Sequence, residues 1–230
     1  PVRKWRAQTS MVSAKRGIVT SLMAPIDISY MFPHRRIIGP QPMAFSKKSL
    51  KKIIEQKKSV SKKQFISFIG SVYEPRKSIL EKMNEGLKNY ELQIEMRGNQ
   101  LGEKKSSDED YWKKIIESKI VITTADQIDN SSTDHSWLPH LIYRYIEVTL
   151  AGSALLAQTV PGIQRYFDQD VDYISYKTTE EAIEKIIYYE KNPRELSIIA
   201  ENGFIKAKSI IQSQIFWVNI DNGLGKNSLL

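Results

Sequence analysis

The sequence predicts an α/β fold, a parallel β-sheet with helices on both faces, preceded by a basic segment that is irregular or helical. From residue 64 onward, short apolar runs alternate with amphipathic stretches of helical period. Strands that alternate with helices form right-handed crossovers, which place the strands parallel. We therefore divide the 230 residues into a basic segment, 1–63, and an α/β domain, 64–230.

The N-terminal segment differs from the rest of the chain in charge. Residues 1–63 contain 15 Lys and Arg against two acids, whereas residues 64–230 contain 19 against 24. Four prolines interrupt residues 25–42 and predict short elements there, and residues 44–58 predict a helix with a lysine-rich face. Such a segment can attract nucleic acid, an anionic membrane or a phosphorylated ligand, or it can simply be a solvated surface.

Composition excludes several classes of protein. The chain contains no cysteine, which excludes disulfide scaffolds, thiolate zinc sites, iron–sulfur clusters and cysteine nucleophiles. No apolar run approaches the length of a membrane span, and no signal peptide is visible, so we expect a cytoplasmic protein. Because the chain begins with Pro1 rather than Met, we expect a fragment or a processed product.

The elements of the α/β domain follow from the spacing of apolar residues and from helix caps. The predicted strands cover residues 65–69, 90–96, 119–124, 153–158 and 172–176, and the predicted helices between them cover 75–87, 108–118, 138–151 and 161–167. Thr178 begins a capping box with Glu181, and Asn192 followed by Pro193 marks the start of another helix. We expect that helix to end near Gly203, and a final helix to run from about 204 towards 219.

The first candidate site follows the first predicted strand. In sheets of this kind, ligands bind at the carboxyl ends of the strands, where the strand order reverses. Gly70 allows a ligand to approach the backbone of Gly70 and Ser71, the next helix offers free N–H groups, and Arg76 adds a bidentate cation. A turn glycine with no ligand is the alternative, and the repeated glycines of a dinucleotide fingerprint are absent.

The second candidate site is the pair Arg144 and Glu147, which are three residues apart and share one helix face. One interpretation is a surface ion pair of little energetic weight. The other places Glu147 on the two hydroxyls of a ribose and Arg144 near a diphosphate. Gly152, which ends this predicted helix, is a weaker candidate contact.

The histidines and the acidic loop do not predict a metal site. His135 and His140 are five residues apart, and the aspartates of residues 126–134 do not match a calcium-binding loop. We therefore expect no bound metal. His135 lies in a long polar loop at the ligand end of the predicted sheet, and we retain it as a candidate ligand contact.

Several ordered motifs resemble a known family. Arg144, Glu147, Gly152, Leu155 and Leu156 form an R-x-x-E-x-x-x-x-G-x-x-L-L pattern. Further matching pieces occur in order at residues 68–76, 111–120, 161–167, 172–174, 180–188 and 192–203. Across residues 64–220 the set resembles the nucleotide-sugar-binding half of GT-B glycosyltransferases, in particular the group 1 and spore-maturation-type families.

This resemblance implies a Rossmann-like domain that transfers a sugar from a nucleotide-sugar donor to a hydroxyl acceptor in glycan or polysaccharide synthesis. Glu147 would contact the donor ribose, and Gly70, Ser71 and Arg76 would lie near its phosphates, with Arg144 as a further contact. The nucleotide sugar would be a co-substrate, and no other cofactor is implied. The family places an acceptor domain N-terminal to this half. That domain would lie outside this chain, so we expect little transfer by the chain alone.

Two points stay open from the sequence. An acid eight residues before the ribose glutamate is common in retaining members of the family, but that position is Pro139 here, so retention and inversion both remain, and no catalytic residue is assigned. The competing hypothesis is a non-enzymatic α/β module that uses residues 1–63 on nucleic acid or an anionic membrane. That segment contains few interleaved aromatic residues and no nucleic-acid motif.

Overall fold

A computed structural model describes residues 16–18, 36–38, 45–72, 74, 76–97, 107–124, 142–160 and 163–224. Within these residues the strands are β1 (Arg16–Ile18), β2 (Arg36–Ile38), β3 (Gln64–Phe68), β4 (Glu95–Met96), β5 (Ser118–Thr123), β6 (Ala154–Gln158) and β7 (Ile174–Tyr176). The last five form one parallel sheet in the order β4-β3-β5-β6-β7, and β1 pairs with β2 in parallel outside it. The predicted fold class, α/β with a parallel sheet, is confirmed.

The helices of the described residues lie on both faces of this sheet. They are α1 (Lys47–Ser59), α2 (Arg76–Leu87), α3 (Asp108–Glu117), α4 (Arg144–Leu150), α5 (Thr179–Lys191), α6 (Pro193–Gln212) and α7 (Ile215–Leu224), with 3-10 turns at Lys88–Tyr90 and Ile163–Arg165. None of them combines the length and the apolar content that crossing a lipid bilayer requires.

Local capping explains where three of these helices begin. The hydroxyls of Ser46, Ser107 and Thr178 each accept a hydrogen bond from the backbone N–H three residues later. These bonds satisfy an N–H group that the first helical turn would otherwise leave without a partner. Asn192 differs from the expectation, because its side-chain amide donates to the carbonyl of Tyr188 and does not cap α6.

The central strands are buried on both sides, as parallel strands covered by helices must be. On one face, Val121 and Leu155 pack with residues of α1, α3, α4 and the second half of α6. On the other face, Ile122 and Leu156 pack with residues of α2, α5 and the first half of α6. The five-stranded sheet therefore lies between two apolar layers.

The strand order reverses between β3 and β5. From β3 the chain passes through α2 to β4 at one edge, and after α3 it returns to β5 on the opposite side of β3. The carboxyl ends of β3 and β5 are consequently neighbours from which the chain departs in opposite directions. This is the position at which doubly wound sheets bind ligands.

Gly203 does not end a helix. Helix α6 continues through Gly203 to Gln212, and a β-carbon on Gly203 would collide with the carbonyl oxygen of Asp172. The glycine is therefore required for close packing. The break occurs at Gln214, whose φ of 54° is left-handed, and α7 follows.

The second predicted strand is much shorter than residues 90–96. The chain first forms the 3-10 turn Lys88–Tyr90 and then a left-handed residue, Glu91, with φ of 56°. Only Glu95 and Met96 pair with β3. The alternating apolar and polar residues that predicted a strand here form a loop instead. Asn84 holds this loop, because its side-chain oxygen accepts a hydrogen bond from the N–H of Ile94 at 2.7 Å.

Candidate functional site

Arg76 joins the two strand ends at the point of reversal. Its Nε donates to Thr124 Oγ1 at 3.1 Å, just beyond β5, and its Nη1 donates to the carbonyl of Ser71 at 3.0 Å, beyond β3. The guanidinium also lies 5.5 Å from the centroid of the Phe68 ring. Arg76 thus places a fixed positive charge across the crevice between the two strands.

Gly70 allows the Arg144 side chain to lie against the backbone that leaves β3. Its φ is +154°, and a β-carbon built on it would lie 3.4 Å from Arg144 Nη2. That distance is a van der Waals contact, so the guanidinium lies directly against the backbone of Gly70. The fold therefore brings Gly70 and Arg144 together, although they lie on different elements.

Glu147 and Arg144 face Tyr111, which lies on the neighbouring helix α3. The Tyr111 hydroxyl donates to Glu147 Oε2 at 2.5 Å, and Arg144 Nε lies 3.7 Å from the same oxygen. The Arg144 guanidinium lies 5.3 Å from the centroid of the Tyr111 ring. The side chains of Arg144 and Glu147 are only 20% and 17% exposed, so this is not the solvated ion pair that one interpretation of the sequence expected.

The protonation of Tyr111 suits its role as a donor. Burial raises the pKa of its phenol well above the usual value; the positive charge of Arg144 opposes this rise, and the charge and hydrogen bond of Glu147 add to it. The phenol is therefore protonated at neutral pH. Its proton lies on the hydrogen bond to the carboxylate.

Two polar atoms of this cluster have no partner within the described residues. Arg144 Nη1 is buried and makes no hydrogen bond. Glu147 Oε1 makes none either, because both contacts of the carboxylate go to Oε2. Buried donors in folded proteins are nearly always hydrogen-bonded, so this guanidinium N–H lacks an acceptor that the described residues do not supply.

The structure does not bring every predicted residue to this place. Gly152 lies at the other end of α4, beside the start of β6. There it has a φ of +70° and its N–H donates to the carbonyl of Thr149 at 2.9 Å. It ends the helix at the amino edge of the sheet, apart from Gly70. Ser71 lies at the carboxyl edge and is exposed. His135 and Pro139 lie outside the described residues.

Tyr111 and Thr124 lie in the candidate site, although neither was predicted from the sequence. Thr124 immediately follows a strand that ends at the edge where ligands were expected. Tyr111 lies in the first turns of a helix that starts from this edge. Position after a strand or at a helix start was the available signal, but neither residue could be paired with Arg76 or Glu147 until the strand order was known.

No group of three or more His, Asp or Glu side chains in the described part of the chain is arranged to hold a metal ion. A second concave region, which contains none of the candidate site residues, lies between α1 and the helices α6 and α7. It is a groove of about 710 Å³. Its walls combine apolar residues with a rim of Lys47, Lys51, Lys58 and Lys208.

Comparison with known proteins identifies the family. Residues 74–214, which are more than half of the chain, match the model of the glycosyl transferase-like family. No curated protein matches the sequence of this chain.

Solved structures share the fold at low sequence identity. Anabaena Alr3699/HepE, crystallised with UDP and glucose, aligns with a TM-score of 0.58 and 12% identity over 94% of this chain and 64% of its own. The pneumococcal O-GlcNAc transferase GtfA, crystallised with UDP and GlcNAc, aligns with a TM-score of 0.58 and 12% identity. The alignment covers 92% of this chain and 45% of GtfA.

Sucrose-phosphate synthase from Thermosynechococcus elongatus aligns with a TM-score of 0.56 and 12% identity over 98% of this chain and 62% of its own. The chain thus spans less than two thirds of the length of each of these three proteins. The residues that match the family model include most strands of the parallel sheet, which agrees with the fold shared with these structures. The chain therefore belongs to the glycosyl transferase-like family, and its sheet has the fold of one half of a GT-B glycosyltransferase.

Proposed function

We propose that this chain binds a nucleotide sugar and serves as the donor-binding part of a glycosyltransferase, which transfers the sugar to a hydroxyl acceptor. The observation that carries the proposal is Arg144, whose Nη2 lies beside Gly70 where the strand order reverses, and whose buried Nη1 has no hydrogen-bond partner within the described residues. HepE and GtfA, which share the fold, were crystallised with UDP.

The diphosphate would lie between Arg76 and Arg144. Both guanidinium groups are held by the chain, Arg76 by Thr124 and Ser71, and Arg144 by Glu147 and the Tyr111 ring. Charge grows on the leaving diphosphate as the sugar departs. Cations that are already in place stabilise this charge without reorganising during the reaction.

Glu147 would bind the ribose. A carboxylate only accepts hydrogen bonds, and a ribose hydroxyl can donate one to the free oxygen Oε1. The negative charge at this position also favours the hydroxyls of a ribose over a further phosphate. Glu147 and Arg144 would then bind adjoining parts of one nucleotide.

Isothermal titration with UDP, ADP, GDP and CDP tests the proposal. At least one should bind more tightly than its nucleoside. We expect Glu147→Gln to weaken that binding by roughly 5- to 30-fold, because hydrogen bonds to charged groups contribute about 1–2 kcal/mol more than neutral ones. Glu85→Gln, a change at an exposed position on α2, is the matched control and should bind as the wild type does.

Failure of all four diphosphates to bind to folded protein at millimolar concentration would overturn the proposed function. Equal affinity of wild type and Glu147→Gln would instead remove only Glu147 from the site. Circular dichroism and thermal melting of each variant establish that the protein used in the titration is folded.

We also propose that the lysine-rimmed groove contacts an anionic membrane surface. Its rim contains four lysines and one acid, Glu55, and the groove is flanked by Trp217, which is 55% exposed. Clustered lysines attract anionic headgroups by about 1 kcal/mol each, and exposed Trp favours the membrane interface.

Co-sedimentation with phosphatidylcholine vesicles, with and without phosphatidylserine, tests this contact. We expect binding only with the anionic lipid, and loss of binding when Lys47, Lys51 and Lys58 are all changed to Glu. The same three changes at Lys77, Lys88 and Lys113, which are exposed elsewhere, are the control. Equal binding by both triple variants would contradict the proposal.

A further inference from the structure

One phenol connects the two charged residues of the proposed donor site. Tyr111 lies on α3, whereas Arg144 and Glu147 lie on α4. Its hydroxyl contacts Glu147 Oε2 at 2.5 Å, and its ring lies 5.3 Å from the Arg144 guanidinium.

The Tyr111 ring is itself held in place. It packs edge-on against Trp112 with centroids 5.9 Å apart, and Trp112 packs edge-on against Phe45 at 6.1 Å. Tyr111 and Trp112 both pack against the apolar layer beneath α3 and α4. The hydroxyl therefore has a fixed position relative to α4, and it can determine the orientation of the carboxylate it contacts.

We infer that Tyr111 is a positioning residue that selects which atoms of Glu147 and Arg144 a ligand can use. This inference rests on the proposed function. Since Oε2 is occupied by the Tyr111 hydroxyl and by Arg144, Oε1 is the oxygen presented to a ligand hydroxyl. Since Arg144 Nε faces Oε2 and Nη2 lies near Gly70, the buried Nη1, which has no partner within the described residues, is the donor left for a phosphate.

Such an arrangement lowers the entropic cost of binding. A free glutamate side chain populates several rotamers, and ordering it when a ligand binds weakens affinity. Here the chain orders Glu147 during folding, before any ligand arrives. The affinity gained in this way applies only to the hydroxyls that Glu147 binds. Tyr111 therefore helps the site to discriminate ribose from deoxygenated sugars.

The test is Tyr111→Phe, which keeps the ring against Arg144 and removes only the hydroxyl. The probes are whichever of UDP, ADP, GDP and CDP binds the wild type most tightly, and its 2′,3′-dideoxy analogue. Loss of one hydrogen bond to a carboxylate that orders the site should weaken the ribonucleotide by about 3- to 10-fold. The dideoxy analogue cannot donate a hydrogen bond to Glu147, so its affinity should change by less than about twofold in Tyr111→Phe.

Three variants sharpen the result. Tyr143→Phe removes a hydroxyl from an exposed tyrosine beside Arg144 and should change neither affinity. Tyr111→Leu also removes the ring and should weaken both probes, because Arg144 loses its support. In the Glu147→Gln background, Tyr111→Phe should have much less effect on the ribonucleotide than it has in the wild type, because the two residues act as a unit.

Each outcome decides between the two claims. If the wild type binds no nucleotide, the proposed function fails and the inference fails with it. If the wild type binds but Tyr111→Phe weakens both probes equally, or neither, only the inference is overturned. If Tyr111→Phe does not fold, Tyr111 is a structural residue of the core and the inference is likewise overturned; thermal melting of Tyr111→Phe and Tyr111→Leu decides this.

Discussion

Buried or half-buried charges lie at both edges of the parallel sheet, but they differ in how completely the chain pairs them. At the amino edge, Glu117 is 5% exposed and is fully paired, with Arg97 Nη2 at 2.6 Å from one oxygen and Lys63 Nζ at 3.1 Å from the other. At the carboxyl edge, the carboxylate of Glu147 has one oxygen engaged, and a buried N–H of Arg144 has no partner.

Other polar groups at the amino edge are also paired within the chain. Lys62 Nζ donates to the carbonyl of Ser118 at 2.8 Å and to Ser153 Oγ at 2.7 Å, and Ser153 Oγ donates to the carbonyl of Ile115 at 2.8 Å. These bonds tie together β5, β6 and the end of α3. The polar groups at the amino edge therefore join elements of the fold to one another.

Under the proposed function, the difference separates charges that stabilise the fold from charges that bind a ligand. A buried charge whose hydrogen bonds are all made inside the chain contributes to folding. A buried charge with an unused donor costs stability in the free protein, and it is retained where a ligand supplies the acceptor. Substitutions at the two edges should consequently move different measurements.

The largest expected effect on stability is at the amino edge. Arg97→Met leaves the buried carboxylate of Glu117 with Lys63 as its only cation, and removing one member of a buried ion pair costs about 3 kcal/mol or more. Urea denaturation should show this loss in the free energy of unfolding. Lys113→Met, at an exposed position on α3, should stay within about 0.5 kcal/mol of the wild type. Similar stability of the two variants would contradict the structural role.

At the carboxyl edge the effect should appear in binding. Arg144→Met removes a charged donor from the proposed phosphate contact, which should weaken nucleoside diphosphate binding by about 1.5–3 kcal/mol, or roughly 10- to 150-fold. Stability should fall by less than in Arg97→Met, because the Arg144–Glu147 pair is long at 3.7 Å, Glu147 keeps its hydrogen bond from Tyr111, and the variant also removes a buried donor that has no partner within the described residues. Arg165→Met, at an exposed position, is the control for lost charge. A large loss of stability with unchanged affinity would place Arg144 with the amino-edge charges.

The smallest effect, per unit of pH, concerns Glu117. Burial alone would raise the pKa of its carboxyl, but hydrogen bonds and charges from Arg97 and Lys63 outweigh burial and hold the pKa below the ordinary value of 4.5. As the pH falls, the unfolded chain therefore binds a proton at Glu117 before the folded chain does. The stabilisation that ionised Glu117 contributes is complete above the unfolded pKa of 4.5, and it is lost as the pH falls through the lower pKa of the folded protein. One such group gives a slope of at most about 1.4 kcal/mol per pH unit.

Stability of the wild type and of Glu117→Gln, measured by urea denaturation from neutral to acidic pH, tests the sign. The wild type should lose stability more steeply than the variant as the solution becomes acidic. Parallel curves would mean that Glu117 is not linked to folding in this way. Glu184→Gln, an exposed change on α5, should leave the wild-type slope unaltered.

The fold class and the positions of most helices and strands could be predicted from the amino-acid sequence. Apolar period separates helix from strand because each side chain must reach a buried layer, and this made Lys47–Ser59, Gln64–Phe68 and Ser118–Thr123 predictable to within a few residues. Ser107 and Thr178 cap helices through bonds to residues three positions away. Such local contacts can be read without knowledge of the tertiary structure.

Contacts between residues that are distant in the sequence became known only from the packed fold. Gly203 looked like the end of a helix, but it lies inside α6 because the Asp172 carbonyl leaves no room for a side chain there. The partnership of Tyr111 with Glu147 depends on packing α3 beside α4, and the order of the strands determines that packing. Spacing along the chain reports burial, whereas a contact between elements depends on how the sheet orders them. Gly70, Arg76, Arg144 and Glu147 could therefore be chosen as candidates one by one, but neither their arrangement nor the presence of Tyr111 and Thr124 beside them could be predicted.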